Sequence, residues 1–452
     1  MIKKKIIGVW GYGKVGKSLV TFWTQQGWTI YVMDQNPSVE RIIKIDFPKA
    51  LFFRQPEVPD HTISFFVEPH AIYVSPGVDI RYYYPFLKDR LKTELDLFFT
   101  EWQKPVIAIT GSVGKTTVTS FLSSLLHSHD IEHVVGGNIG NPMLGFLEQK
   151  ATYAVLELSS FQLEYSSLFC PTIAVWTNFY PNHLDRHVTE ESYFKAKYKI
   201  LSCQSLQEKA IVPTSIIPYF NTYGWPKSTL YFIADEEQYS RSLPNNYPLF
   251  MYKDNGMYFM QHNQVMLLCK KDELPAITIA NNWLFLAATL YALDLFNQLF
   301  VHYTKDIKAI PHRTEFVTTI NSLTFVNDSK STTVASTLAA IEQYKDKLII
   351  LLVGGLSKGV DRSILFKKLP SNVVYVVTFG AEAAVLKEFC KQYSTIEVSQ
   401  VETVEQTVTK AIAIAKPKSI ILFSPAGSSY DLYANYQERG DHFKDIVLSY
   451  KK

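Results

Sequence analysis

The stretch Val106 to Ser120, VIAITGSVGKTTVTS, leaves this chain little conformational choice. An apolar β-rich run leads into a turn with Gly111 and Gly114, and then into a helix-compatible segment that begins Lys115-Thr116-Thr117. That is the strand, loop and helix of a phosphate-binding element. In such an element backbone N–H groups approach the phosphate and the helix N-terminus adds partial positive charge. Lys115 reaches the terminal phosphoryl group and Thr116 holds Mg²⁺ in this arrangement. The usual pattern requires a glycine at 109, where the chain has Ile109, so the loop is a shortened form.

A second Gly-rich turn precedes it. GYGKVGKS sets Gly11, Gly13 and Gly16 in G-x-G-x-x-G spacing after the run Ile6 to Trp10, and Asp34 closes the following run from Thr29. From the residues alone this is either a dinucleotide fingerprint or a tight packing turn. Short β-rich runs alternate with helical or polar stretches along most of the chain, which predicts an α/β fold. With 452 residues, roughly three domains are expected. Their expected bounds are 1–93 (Rossmann-like), 94–298 (P-loop ATPase-like, with a mainly parallel sheet) and 299–452 (Rossmann-like). The helical pattern NNWLFLAATLYALDLF closes the second near residue 298.

Composition narrows the function. The formal charge is only +3, with Lys and Arg scattered, so neither a nucleic-acid footprint nor a membrane-surface footprint stands out and small-molecule partners are expected. Cysteines 170, 203, 269 and 390 fit no metal-ligand spacing and no disulfide framework, which suits a reducing cytoplasm. No apolar run of about 18 residues occurs, so the expectation is a chain neither exported nor membrane-spanning.

A hard cation bridging phosphates needs oxygen ligands. Glu157 ends the apolar run YAVLE and is followed by Ser159, Ser160 and Gln162, so it reads either as a metal ligand or as a solvated strand-end residue. NFYPNHLDRH offers Asn178, His183, Asp185 and His187 within ten residues. A zinc site and a helix cap by Asp185 both remain open for that cluster.

Seven strings then occur in order: TGSVGKTT, GGNIGNP (136–142), ELSSFQLE (157–164), NHLDRH, PHRTE (311–315), NDSKSTT (327–333) and SPAGSSYD (424–431). Together they resemble the motifs of the Mur ligases of peptidoglycan synthesis, over nearly the whole chain. ELSSFQLE and NDSKSTT point to the branch that adds D-glutamate to UDP-N-acetylmuramoyl-L-alanine. In that family the shortened loop, G-x-x-G-K-[ST]-[ST], is normal.

The resemblance implies ATP and two Mg²⁺ ions. Gly111, Ser112, Val113, Gly114, Lys115, Thr116 and Thr117 would hold the phosphates, with Asn282, Arg313 and Asp328 on the rest of the nucleotide. Thr116 and Glu157 would hold one metal ion. His183 and Lys197, the latter at a position the family carbamylates, would serve the second, which makes Lys115, His183 and Lys197 the catalytic set. The first Gly-rich turn would receive the UDP end of the substrate and not NAD, through Lys14, Val15, Asp34, Ser75, Pro76 and Gly77, and Asn138 and Ser159 would also bind that substrate. Lys330, Thr332, Lys358, Ser429 and Tyr436 would bind D-glutamate. A cytoplasmic monomer is implied. Two departures stand out: Asn281, Asn282 and Phe285 replace the family's His-Asn-x-x-Asn, and Ser112-Val113 replaces a more usual Ser/Thr-Asn.

Overall fold

The computed structural model describes residues 5–235, 243–244, 246–357 and 359–451. Three sheets follow one another along the chain. The first is parallel throughout, in the spatial order Leu51–Arg54, Thr29–Asp34, Ile6–Trp10, Ala71–Val74, Leu91–Lys92. In the second, Val106–Thr110 lies between Tyr153–Glu157 and Ile173–Trp176, with His133–Gly137 beyond the former. Lys209–Pro213, Thr229–Ile233 and Leu249–Lys253 extend the other side in parallel, and Gly256–Gln261 and Gln264–Lys270 add an antiparallel hairpin. The third sheet runs Glu315–Ile320, Leu323–Asn327, Ile420–Phe423, Ile349–Gly354, Val373–Phe379, Glu397–Gln400, and only its first strand is antiparallel.

The central strands read as unbroken apolar runs because helices cover both faces. Ile6–Trp10, Val106–Thr110 and Ile349–Gly354 are buried at every residue. On one face of the second sheet the helices Lys115–Ser128 and Ala280–Ala292 pack through Val118, Phe121, Trp283 and Leu284. The latter helix is apolar nearly all round, as its burial requires, and it ends at Ala292, before the end of the helical pattern at Phe296. On the other face a single core runs from Val9, Leu19 and Val32 of the first sheet to Ala108, Leu156 and Trp176 of the second, through Phe98 and Trp102.

Those last two aromatics belong to the helix Glu94–Trp102, which joins the first two sheets and is tied at its start. Thr93 caps it by accepting from Asp96 N. Asp96 Oδ1 in turn accepts from Ser166 Oγ and from the backbone N–H groups of Ser167 and Leu168, at 2.7 to 3.0 Å. In the first two sheets the strand order reverses at a central strand, Ile6–Trp10 and Val106–Thr110, and the crevice for a ligand opens at the carboxyl ends of the strands around such a point.

Glu94 is buried in the seam between the first two sheets. Burial pushes its carboxyl up to about 7, although the N–H groups of Leu144 and Met143 pull the other way. The folded protein therefore holds a proton there that the unfolded chain releases near the ordinary value of 4.5. Stability from this group is present below that value and is lost as pH rises through about 7. Glu94→Gln should flatten that part of the stability profile, measured by urea unfolding at a series of pH values.

Candidate functional site

Thr110 ends the central strand of the second sheet, and the chain turns back over Thr177 and Asn178 at the end of the neighbouring strand. The Asn178 Oδ1 atom accepts from Ser112 N at 3.1 Å and from Val113 N at 2.8 Å, while its Nδ2 donates to Val113 O at 2.9 Å. Thr177 Oγ1 donates to the same carbonyl at 2.6 Å. Gly111 adopts φ +147, and a side chain there would collide with Thr177 Oγ1; Gly114, at φ +87, starts the helix Lys115–Ser128. The short loop is thus shaped by a neighbouring strand's side chains, which do what a longer loop does with its own residues. Sequence reasoning placed Asn178 among possible metal ligands; its hydrogen bonds make it the brace of the loop.

The loop opens into a cavity of about 160 Å³, with Lys115, Thr116, Asn138, Glu157, His183 and Lys197 in its wall. Arg313, Lys330 and Thr332 close it from the third sheet's side. Four basic side chains therefore surround one carboxylate, which is an environment for an anion of high charge. Lys115 Nζ lies along the loop, donating to Gly111 O at 2.7 Å and Ser112 O at 3.2 Å. Lys197 is 1% exposed, and its nitrogen is 2.9 Å from Gly111 O. Burial, and then the charge of Lys115, pull its amine well below the usual lysine range; Glu157 offsets this in part. Burial also lowers the Arg313 guanidinium, against the pull of Glu157 and Asp328.

Glu157 Oε1 accepts from Asn138 Nδ2 at 2.8 Å, whereas its buried Oε2 has no hydrogen-bond partner among the described residues. A buried carboxylate oxygen left unpaired beside the loop hydroxyl of Thr116 suits a divalent cation. No group of three His, Cys, Asp or Glu side chains that could hold a metal occurs among the described residues. The Asp185 side chain of the zinc alternative lies outside the described residues; a Mg²⁺ ion needs only one or two carboxylates and fills its shell with phosphate oxygens and water. His187, the other histidine of the cluster, is buried, lies 2.9 Å from Ser160 Oγ through Nε2, and stacks on Phe161. His183 is the N-cap residue of the helix Leu184–His187, and it packs edge-on against Phe161 in the cavity wall.

Two further clefts share walls with this cavity. A narrow slot of about 50 Å³ continues past Val113 and Gly114 to Thr117, Asn282, Arg313 and Asp328. Asn282 lies beneath Gly114 and donates to Thr278 Oγ1 at 2.7 Å. Asn281 and Phe285 do not line the slot, and Phe285 is in the apolar core, so that departure lies away from it. Asp328 accepts from Ser331 Oγ, Ser424 Oγ and Thr314 N, and burial raises its carboxyl to about 6.

On the other side a cleft of about 670 Å³ opens between the first two sheets. Lys14, Val15, Asp34, Ser75, Pro76, Gly77, Asn138 and Ser159 all line it. Asp34 Oδ2 accepts from Tyr12 N at 2.7 Å and so ties the Gly-rich turn to the next strand. Ser159 caps the helix Ser160–Leu163 in a reciprocal pair with Gln162.

Of the third-sheet residues, Lys330 and Thr332 reach the cavity; Lys330 Nζ donates to Tyr436 Oη at 2.7 Å. Ser429 is buried in the adjacent 424–431 loop and does not line the cavity. Lys358 lies outside the described residues.

Comparisons with known proteins agree with this geometry. The family model "Mur ligase middle domain" matches residues 109–224, and "Mur ligase, glutamate ligase domain" matches 312–427. The chain is 32% identical over 445 residues to a UDP-N-acetylmuramoylalanine--D-glutamate ligase of Pseudothermotoga lettingae, covering 97% of this chain and 96% of the relative. It is 32% identical over 398 residues to the protein of the same name from Prochlorococcus marinus, covering 84% and 82%. Among solved structures, a pseudomurein peptide ligase type C from Methanothermus fervidus aligns with TM-score 0.60 at 18% identity, over 99% of this chain and 100% of the other. MurF ligase from Thermotoga maritima in complex with ADP aligns with TM-score 0.60 at 13% identity, over 93% and 95%. Both structures share the fold.

If Asn178 braces the loop, Asn178→Ala should free the amide of Val113 and leave that of Ser112 with only its bond to the Asn178 carbonyl at 3.2 Å. Hydrogen exchange at Val113 is expected to quicken by about tenfold or more, read by mass spectrometry, with the helix Lys115–Ser128 still protected.

Proposed function

Because the chain belongs to the Mur ligase family, we propose that it is the ATP-dependent ligase joining the L-alanyl carboxylate of UDP-N-acetylmuramoyl-L-alanine to the amine of D-glutamate. One observation carries this reading: the nucleotide slot, the central cavity and the first-sheet cleft adjoin in that order, sharing Val113 and Arg313 at one junction and Asn138 and Ser159 at the other. We read the units as 1–93 for the UDP handle, 94–298 for ATP and 299–452 for the amino acid. The protein acts as a monomer in the cytoplasm; among the described residues no helix is long and apolar enough to cross a membrane.

Joining a carboxylate to an amine in water needs a leaving group on the carboxyl carbon. The UDP end seats on the Gly11–Gly16 turn, with Lys14, Val15 and Asp34 on one side and Ser75, Pro76 and Gly77 on the other. Anion binding at a helix N-terminus supplies the attraction. Asn138 and Ser159, at the junction of the two clefts, steer the alanyl carboxylate toward the γ-phosphate. The loop from Gly111 to Thr117 cradles that phosphate, while Asn282, Arg313 and Asp328 hold the rest of ATP.

A carboxylate oxygen forms the bond to phosphorus as the bond to the β,γ-bridging oxygen breaks, leaving an acyl phosphate and ADP. Lys115 and Arg313 spread the negative charge of that transfer. Two Mg²⁺ ions, one held by Thr116 and Glu157 and the other by His183 and a carbamate on Lys197, would add Lewis-acid neutralisation of the phosphates. The full burial of Lys197 beside Lys115 and Glu157 supports that carbamate, which would replace a buried cation with an anion between the metal positions.

Lys330, Thr332, Lys358, Ser429 and Tyr436 then hold D-glutamate so that its amine attacks the acyl carbon and phosphate leaves. Approach of the third unit also excludes the water that would hydrolyse the acyl phosphate.

Lys115→Ala should abolish phosphate release while calorimetric binding of UDP-N-acetylmuramoyl-L-alanine persists; turnover by the variant overturns the role. For acceptor choice, phosphate release is measured with that substrate and ATP across a panel of amino acids. A selective response to D-glutamate is expected, and a response without that preference refutes the specific claim.

A further inference from the structure

Two arginines in the third unit are held almost entirely inside the protein. Arg439, in the first turn of the helix Tyr436–Ser449, has no exposed surface, and Arg362 is 3% exposed. Arg439 donates from Nε to Ser329 Oγ at 3.0 Å, from Nη2 to Ser329 O at 2.7 Å and from Nη1 to Gly427 O at 3.1 Å. Arg362 donates to the carbonyls of Gly354 and Gly355, each at 2.8 Å, and to Pro425 O at 3.1 Å, and it pairs with Glu382 at 3.0 Å.

These contacts form a pattern. Three loops leave the carboxyl ends of the adjacent strands Leu323–Asn327, Ile420–Phe423 and Ile349–Gly354. Arg439 ties the first loop to the second, and Arg362 ties the second to the third. Lys330 and Thr332 stand on the first loop, Ser429 on the second, and Tyr436 on the helix that carries Arg439.

A buried guanidinium is costly to desolvate, and an apolar side chain of similar volume often serves stability as well or better. What an apolar chain cannot do is hold three acceptors at fixed angles, which the planar fork of arginine does. The partners of Arg439 are two backbone carbonyls and a hydroxyl, all belonging to loops, so its bonds set loop positions. Burial brings its guanidinium down to about 10, which leaves it charged at neutral pH.

We propose that Arg439 is a positioning residue for the acceptor amino acid, fixing the loop that carries Lys330 and Thr332 so that these two cavity residues hold a carboxylate of a dicarboxylate. This rests on the D-glutamate reading above, and the two fail separately. If the unmodified enzyme releases no phosphate in response to D-glutamate, that reading falls, and this one with it.

Given that response, the test is Arg439→Lys, which keeps the charge but cannot hold all three acceptors. KM for D-glutamate should rise by about tenfold or more, while KM for ATP and for the UDP substrate stays within about twofold. Thermal unfolding confirms that the variant is folded. An unchanged KM for D-glutamate, or a parallel rise in all three values, overturns the proposal. Should Arg439→Lys not fold, Ser329→Ala decides, since it removes the hydroxyl that accepts from Nε and donates to Tyr436 O at 2.9 Å, while both carbonyl partners of Arg439 remain. A smaller but D-glutamate-selective rise in KM supports the positioning role, and no change refutes it.

Discussion

The hold of Thr177 and Asn178 on the loop from Gly111 to Gly114 is the constraint on which the site depends. A loop this short cannot satisfy its own backbone groups, and unsatisfied buried amides are expensive. The neighbouring strand supplies the partners, and in doing so it fixes where Lys115 begins and where the helix N-terminus points. Because that strand pairs directly with Val106–Thr110, the register of the sheet sets the shape of the loop. It also accounts for Val113, whose backbone is held whatever its side chain, so that a polar residue is not needed there to order the turn.

Around this point the chain gathers charge in an unusual ratio. Lys115, Lys197, Arg313 and Lys330 face one carboxylate, and one oxygen of that carboxylate is unpaired in the interior. Such an arrangement is poor as a stabilising core and sensible as a receptor for polyanions and cations bound together. The Lys197 amine shows the tension most clearly, being pulled down by burial and by a neighbouring like charge.

Much of the architecture was legible because central parallel strands are apolar on both faces and glycines mark their turns. Ile6–Trp10, Thr29–Asp34 and Val106–Thr110 appear where the apolar runs predict them. Less legible were the short edge strands Leu51–Arg54 and Glu397–Gln400, which are half solvated and carry no strong pattern. Of the site, the eight residues expected on the UDP side share one cleft because they lie at strand ends and turns, where spacing is informative. Asn178 was harder to interpret: a strand-end asparagine suggests a ligand as readily as a brace, and only its partners distinguish the two. Arg362 and Arg439 carried no signal at all, since an arginine on a helix ordinarily faces water.

By itself, the sequence determined the α/β class, the phosphate-loop element and the ordered motifs that tie the chain to its family. Each of these is local, because spacing between glycines, lysines and strand ends is preserved in the string of letters. The tertiary structure decided which local elements meet: that Glu157 faces Lys115 and Lys197, that Arg313 and Lys330 close the same cavity from a separate sheet, and that Asn178 sets the loop. Burial and hydrogen-bond partners belong to pairs of residues far apart in the chain, so no residue's identity discloses them before the strands have taken their register.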